Sequence, residues 1–238
     1  MSLIDSLKSV GKELLQVIFP DRCTVCSTLL VEGEDCICLN CLTDLPLTGI
    51  NPMAFNGLHE RVMDTNYPVE RVASLMWYYR ESQYVNLIHD AKYRQRPRVA
   101  NRLSAYYVKQ LSSTGFFDDI DVILPVPMHF TKKLMRGYNQ AEVIAESIGQ
   151  ACGIEVRDNL ICCRPHATQT HQNAAQRYEN AQGLYKIVDP EDLNGKHILI
   201  VDDVLTTGST MRACISAIYN SCTGIKISLL TLSAAHLR

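Results

Sequence analysis

The feature that most narrows the fold is a stretch near the carboxyl end of the chain. His197-Ile198-Leu199-Ile200-Val201 is an apolar run with no polar alternation after its first residue, so the strand it forms must be covered on both faces. Two acids follow directly, Asp202 and Asp203, and then the small, hydroxyl-rich Thr206-Thr207-Gly208-Ser209-Thr210. Beyond these, Met211, Cys214, Ile215 and Ile218 recur at helical spacing. A strand buried on both sides, a tight turn and an amphipathic helix form the unit from which parallel α/β sheets are built.

The preceding residues repeat that alternation. Residues 72–79 read as a strand, 83–93 and 99–111 as helices, and 121–124 as a short buried strand stopped by Pro125 and Pro127. Asn139 caps a helix running to about Ala151, with Glu142 in the capping-box position and Ala141, Ile144, Ala145 and Ile148 as its buried stripe. Residues 226–232 supply a last strand. The fold class is α/β, a doubly wound, mainly parallel sheet with ligands expected at the carboxyl ends of its strands. Three segments are expected: 1–48, an amphipathic helix and a cysteine module; 49–70, a connector; and 71–238, the α/β domain.

The turn at 206–210 has a chemical reading. A small-residue turn opening a helix offers unpaired backbone N–H groups and the positive end of the helix dipole, which together suit a phosphate. Asp202 and Asp203 would repel a phosphate, so they suit sugar hydroxyls or a metal. A ribose 5-phosphate satisfies both halves, with its phosphate in the turn and its 2′- and 3′-hydroxyls on the carboxylates. The bland competitor is a strand-end turn with no ligand. Receiver domains and metal-dependent phosphatases also carry strand-end acids. The Walker pattern and the G-x-G-x-x-G fingerprint are both absent.

Ten cysteines divide into five within residues 23–41 and five scattered. Cys23-x₂-Cys26 and Cys38-x₂-Cys41 are two knuckles, and two pairs complete a tetrahedral Cys₄ site for a structural Zn²⁺. Cys36 is a fifth that could replace Cys38, and a redox dithiol is the competing reading. Residues 2–19 read as an amphipathic helix without a signal peptide's apolar core or cleavage site, and no run approaches the ~18–20 apolar residues that span a bilayer. The cytoplasm is the expected compartment. A net charge of −2 argues against a surface that grips nucleic acid throughout.

With these motifs in place, Asp202 to Thr210 resembles the ribose-phosphate motif of type I phosphoribosyltransferases. With the cysteine module in front, the chain resembles the ComF/GntX-like family, in which a zinc ribbon precedes such a domain. Lys92-Tyr93, residues 124–129 and residues 136–141 share the likeness. It implies 5-phosphoribosyl-1-pyrophosphate as ligand, carried with Mg²⁺ and held by Asp202, Asp203, Thr206, Thr207, Gly208, Ser209 and Thr210. Cations are expected to face the pyrophosphate, and Lys92, His129, Lys132, Lys133 and Arg136 are the candidates, each weighed against a solvated basic surface. Residues 164–183 are polar and aperiodic, and Arg164, Thr168, Gln169 and Arg177 look like the family's flexible loop.

Two main readings follow. One is an enzyme, a phosphoribosyltransferase with an unidentified acceptor. The other is a non-catalytic protein that senses the ligand or handles single-stranded DNA, since the resemblance links the family to DNA uptake and natural competence. In that reading Lys92 and the arginines beyond it, with Tyr93 for stacking, are the DNA candidates, and DNA-uptake proteins are the expected partners. A zinc adaptor with a vestigial core is the third. Family analogy also implies a homodimer.

Overall fold

The computed structural model describes residues 20–63, 66–93, 97–164 and 183–236. The amphipathic helix expected over 2–19 lies outside them. The chain divides into two units, Met1–Leu45 and Pro46–Arg238.

Among the described residues of the first unit, regular structure is sparse. Helix α1 (Leu39–Thr43) follows two isolated bridges, Arg22 with Leu29 and Asp35 with Ile37. Ser27 and Cys36 take positive φ, 61° and 54°, as tight knuckle turns require of non-glycine residues only where other contacts hold them. The Glu34 carboxylate does part of that holding, accepting the N–H groups of Val31 at 3.0 Å and Leu39 at 2.7 Å. Among residues 20–45 the buried side chains are Cys23, Val25, Ile37, Cys38, Cys41, Leu42 and Leu45.

The second unit is built on a parallel sheet. Its helices are α2 (His59–Val62), α3 (Val85–Tyr93), α4 (Pro97–Leu111), α5 (Phe130–Arg136), α6 (Gln140–Cys152) and α7 (Ser209–Tyr219). Its strands are β1 (Arg71–Tyr78), β2 (Val122–Pro125), β3 (Glu155–Val156), β4 (Leu160–Cys162), β5 (Tyr185–Ile187), β6 (His197–Leu205) and β7 (Lys226–Ala235). Among the described residues the main sheet has five strands in the order β1-β7-β6-β2-β3, all parallel, and β4 pairs antiparallel with β5.

The middle position of β6 follows from its apolar run. Successive strand residues point to opposite faces. Ile198 and Ile200 join a cluster with Met211, Cys214, Ile215 and Ile218 of α7, and with Leu58 and Val62 of the segment read as a connector. Leu199 and Val201 face the other way, toward the side where α6 packs on β2 and β6, and α4 packs on α6. A side chain on Gly149 of α6 would overlap the carbonyl of Ile154 and Val156 Cγ2, so glycine sets how closely that helix approaches β3. Asn139 caps α6 as expected, its Oδ1 accepting the Ala141 N–H at 3.1 Å while its Nδ2 donates to the Val126 carbonyl at 3.0 Å.

Three differences from the sequence reading matter. β6 does not end at Val201 but runs to Leu205, because β7 continues to Ala235 and supplies backbone partners, pairing Asp202 with Thr231 and Leu205 with Ala234. Asp202 and Asp203 therefore belong to the strand itself. The basic segment after β2 is not a bare turn: it forms α5, capped by His129. Finally, residues 155–162 and 185–187 hold short strands that no periodicity announced.

Candidate functional site

A cavity of about 180 Å³ opens at the carboxyl ends of β2 and β6. Asp202 and Asp203 of β6 and Thr210 of α7 line it. So do residues 126–129 with Lys132, Arg136, Asn139, Gln140 and Ala141, and Cys162 with Tyr185 of the β4–β5 pair. Proline sets the geometry at the end of β2. Pro127 has no N–H to continue a ladder, so the chain leaves the sheet after Val126 and starts α5 at the cavity rim.

Gly208 takes φ +78° and is the N-cap of α7. A Cβ there would overlap the carbonyl of Arg61, and a left-handed φ disfavours any other residue as well. Intrahelical bonding begins with Arg212 N–H to the Gly208 carbonyl at 2.9 Å, so the N–H groups of Ser209, Thr210 and Met211 precede the ladder. Thr207 Oγ1 donates to Ser209 Oγ at 3.2 Å, which closes the turn. The Asp203 N–H bonds the Asp202 carboxylate at 2.8 Å, and Ser233 Oγ donates to the Asp203 carbonyl at 3.3 Å. Both acids are half-buried.

The cations of α5 divide. Lys132 and Arg136 line the cavity. Burial holds the Lys132 ammonium below its ordinary range, and the neighbouring Arg136 adds to this. A lysine so placed gains from an anion that restores its charge. Lys133 turns to Glu142, its Nζ 2.7 and 2.8 Å from the two carboxylate oxygens, and is not among the cavity-lining residues. His129 is buried and lines the cavity, and its Nδ1 accepts the Thr131 N–H at 3.4 Å as the cap of α5.

Of the other candidates, Thr206 is exposed and Thr207 half-buried in the turn. Arg164 is exposed at the end of the described segment, its carbonyl accepting from Cys162 Sγ at 3.2 Å. Thr168, Gln169 and Arg177 lie outside the described residues, as do Arg94, Arg96 and the side chains of Lys92 and Tyr93. Cys162 and Tyr185 were not anticipated. They are partners across the β4–β5 pair and so share a face, but three-residue strands carry too little pattern to reveal it. Burial pushes both the Tyr185 phenol and the Cys162 thiol up, so both stay neutral. Asn139 and Gln140 were read as a helix start and as part of the family likeness, without a place in the cavity, although both buried side chains line it.

In the first unit, the Sγ atoms of Cys23, Cys26, Cys38 and Cys41 all lie within 4.8 Å of one another. Cys26 and Cys38 are 3.7 Å apart, close to the S···S separation of about 3.8 Å that a tetrahedron with 2.3 Å metal–sulfur bonds requires. The Cys38 N–H points at Cys23 Sγ at 3.3 Å, as suits a thiolate acceptor. Hydrogen bonding with Thr28 draws the Cys26 thiol down to about 6, while burial pushes Cys41 up. The set fits Zn²⁺ with all four positions filled by protein. Cys36 stands apart from this cluster.

The family model for the phosphoribosyl transferase domain matches residues 105–227, just over half of the chain. DNA utilization protein YhgH of Salmonella typhimurium is 31% identical over 130 residues, which cover 52% of this chain and 56% of that protein. Competence protein F of Haemophilus influenzae is 30% identical over 117 residues, covering 48% and 51%. The chain thus spans about half the length of the curated relatives it matches. Among solved structures, the glutamine phosphoribosylpyrophosphate amidotransferase of B. subtilis aligns over 59% of this chain and 30% of its own, at 18% identity and a TM-score of 0.38. No helix among the described residues is long and apolar enough to cross a membrane.

Proposed function

Because the chain belongs to the phosphoribosyl transferase domain family and is ComF-like within it, we propose that its cavity binds 5-phosphoribosyl-1-pyrophosphate with Mg²⁺ and transfers the ribosyl phosphate to an acceptor. One observation carries the reading. One cavity is lined by Asp202, Asp203 and Thr210 together with Lys132 and Arg136. Carboxylates and cations lining the same cavity match a ligand with neutral hydroxyls on one part and a dense negative charge on another.

The roles follow from charge. Asp202 and Asp203 accept hydrogen bonds from the ribose hydroxyls. The N–H groups at the start of α7, with the hydroxyls of Thr206, Thr207, Ser209 and Thr210, hold the 5-phosphate. Lys132 and Arg136 neutralise the pyrophosphate as its bond to the anomeric carbon lengthens and positive charge builds on the sugar. Two carboxylates in one cavity are a donor set that suits Mg²⁺, so Asp202 and Asp203 would hold the ion brought with the substrate, where it would offset charge on the leaving group. Zn²⁺ on the four cysteines would be structural.

Calorimetric titration with phosphoribosyl pyrophosphate and Mg²⁺ tests this. The wild-type chain is expected to bind, and Asp202→Asn/Asp203→Asn to lose at least a hundredfold in affinity. Silence from the zinc-loaded wild type would sink the reading. A second reading keeps the binding without the transfer, and the relatives named for DNA utilization and competence favour it. Release of pyrophosphate when candidate acceptors are supplied separates the two.

A further inference from the structure

The turn that opens α7 is held from behind as well as by its own hydroxyl contact. Gly208 has no side chain to cap the helix, and no side-chain cap bond is made there. The Thr207–Ser209 hydroxyl contact ties only the two flanks of the turn. Arg212, one turn into the helix, reaches back instead. Its Nη1 donates to the Thr207 carbonyl at 3.1 Å and also to the carbonyl of Arg61.

Arg61 is fixed in its own right. It belongs to α2, which packs on α7, and its Nη1 donates to the Ala235 carbonyl at the end of β7 at 2.6 Å. Its guanidinium carbon lies 5.9 Å from the centre of the Trp77 ring on β1. Its carbonyl occupies the space that a Cβ on Gly208 would need. One guanidinium nitrogen therefore couples the turn to a peptide anchored on two strand ends.

We propose that Arg212 is a positioning residue for the anion-binding turn, setting the Thr207 peptide so that the N–H groups of 208–210 converge. This rests on the reading of that turn as the 5-phosphate site. The chemistry supports a specific role. A flip of the Thr207–Gly208 peptide would turn the Thr207 carbonyl dipole against a phosphate in the turn. A cation held on that oxygen keeps the carbonyl turned back and the following N–H forward. The single left-handed residue, Gly208, is where such a flip would be easiest. Arg212 touches neither sugar nor pyrophosphate in this scheme and is not a catalytic residue.

The experiment uses two fragments that report on different halves of the cavity, ribose 5-phosphate and Mg²⁺–pyrophosphate, titrated separately by calorimetry into the full chain. Arg212→Met, which keeps the bulk and loses the donors, is expected to weaken ribose 5-phosphate at least tenfold. Pyrophosphate should stay within twofold of wild type. Free methylguanidine should restore part of the lost affinity in an Arg212→Ala variant. Unchanged ribose 5-phosphate affinity in Arg212→Met would overturn the proposal, and so would a proportional loss of both fragments, which marks a global effect. If Arg212→Met does not fold, Arg212→Lys is read the same way, with an intermediate loss confined to ribose 5-phosphate expected. A wild-type chain that binds pyrophosphate but not ribose 5-phosphate would overturn the 5-phosphate reading itself, and is distinct from failure of the clamp.

Discussion

The two units of this chain secure their folds by different means. Residues 20–45 bury seven side chains, three of them cysteines of the four-sulfur cluster, and contain one helix of five residues. Residues 46–236 bury a sheet on both faces, with Ile198, Leu199, Ile200 and Val201 fully enclosed. Seven buried side chains are a small core against the entropy of ordering the loops of residues 20–45, and a metal on the four cysteines would supply what that core lacks. The second unit depends on apolar burial spread over many residues. With metal bound, one unit would rest on a single bonded centre that can be removed at a stroke, the other on contacts that can only be eroded one at a time.

Removing the metal is the strongest test of that contrast. A chelator, or Cys41→Ser, should unfold the first unit outright, since structural zinc supplies an apparent ~10–16 kcal/mol in small modules. Zinc release and new protease sites confined to residues 20–45 would register it, while the thermal transition of the sheet persists. Retained protection of 20–45 without zinc would break the comparison.

Eroding the sheet comes next. Ile200→Ala should lower the stability of the second unit by about 2–5 kcal/mol, by lost burial and the cavity left behind. Urea unfolding checks this, and zinc content should not change.

Acid sharpens the contrast on the side of the second unit. His197 is buried at the start of β6, its Nδ1 3.1 Å from Asp119 and its Nε2 2.9 Å from Ser228 Oγ. Burial holds its imidazole below the ordinary range. The Arg71 guanidinium on Asp119 holds that carboxyl low as well. From neutrality downward, the unfolded chain takes up a proton at His197 near pH ~6.5 that the folded chain refuses, so stability falls from there until the folded imidazole also titrates. The share from Asp119 is present above about pH 4 and disappears as pH drops through its lower folded value. Urea midpoints from pH 7 to 5 should decline in the wild type and flatten in His197→Gln. A midpoint that rises on acidification would contradict the assignment.

The smallest effect is expected at Lys133. Its pair with Glu142 is largely exposed, so Lys133→Met should change stability by about 0.5 kcal/mol or less, measured by the same urea titration. It should also leave phosphoribosyl pyrophosphate affinity nearly intact, unlike Lys132→Met, because only Lys132 lines the cavity.

How much of this was legible in the sequence depends on the kind of signal. The burial of β6 and the apolar face of α7 could be read because both follow strict periods: Met211, Cys214, Ile215 and Ile218 are the buried residues of that helix. The two cysteine knuckles carried their own spacing. The end of β6 could not be read, because it is set by β7, a strand distant in sequence. Tertiary pairing also hid the faces of Lys132 and Lys133, adjacent residues that a helix turns in different directions. Cys162 and Tyr185 meet only through β4–β5 pairing, and Arg61 reaches the turn only because α2 folds onto α7.

The continuation of β6 past Val201 bears on how the site opens. The Asp202 and Val204 backbones are laced to β7 within a ladder flanked by buried strands, so their amides should exchange with solvent only on global unfolding. The exposed Thr206 lies past the end of that ladder. Between Val204 and Thr206 the backbone therefore passes from the slowest-exchanging class to a fast one. Under the proposed reading, a sugar reaching the carboxylates would meet a surface finished before it arrives, and protection gained in this strand and turn on binding should appear at residues 206–209.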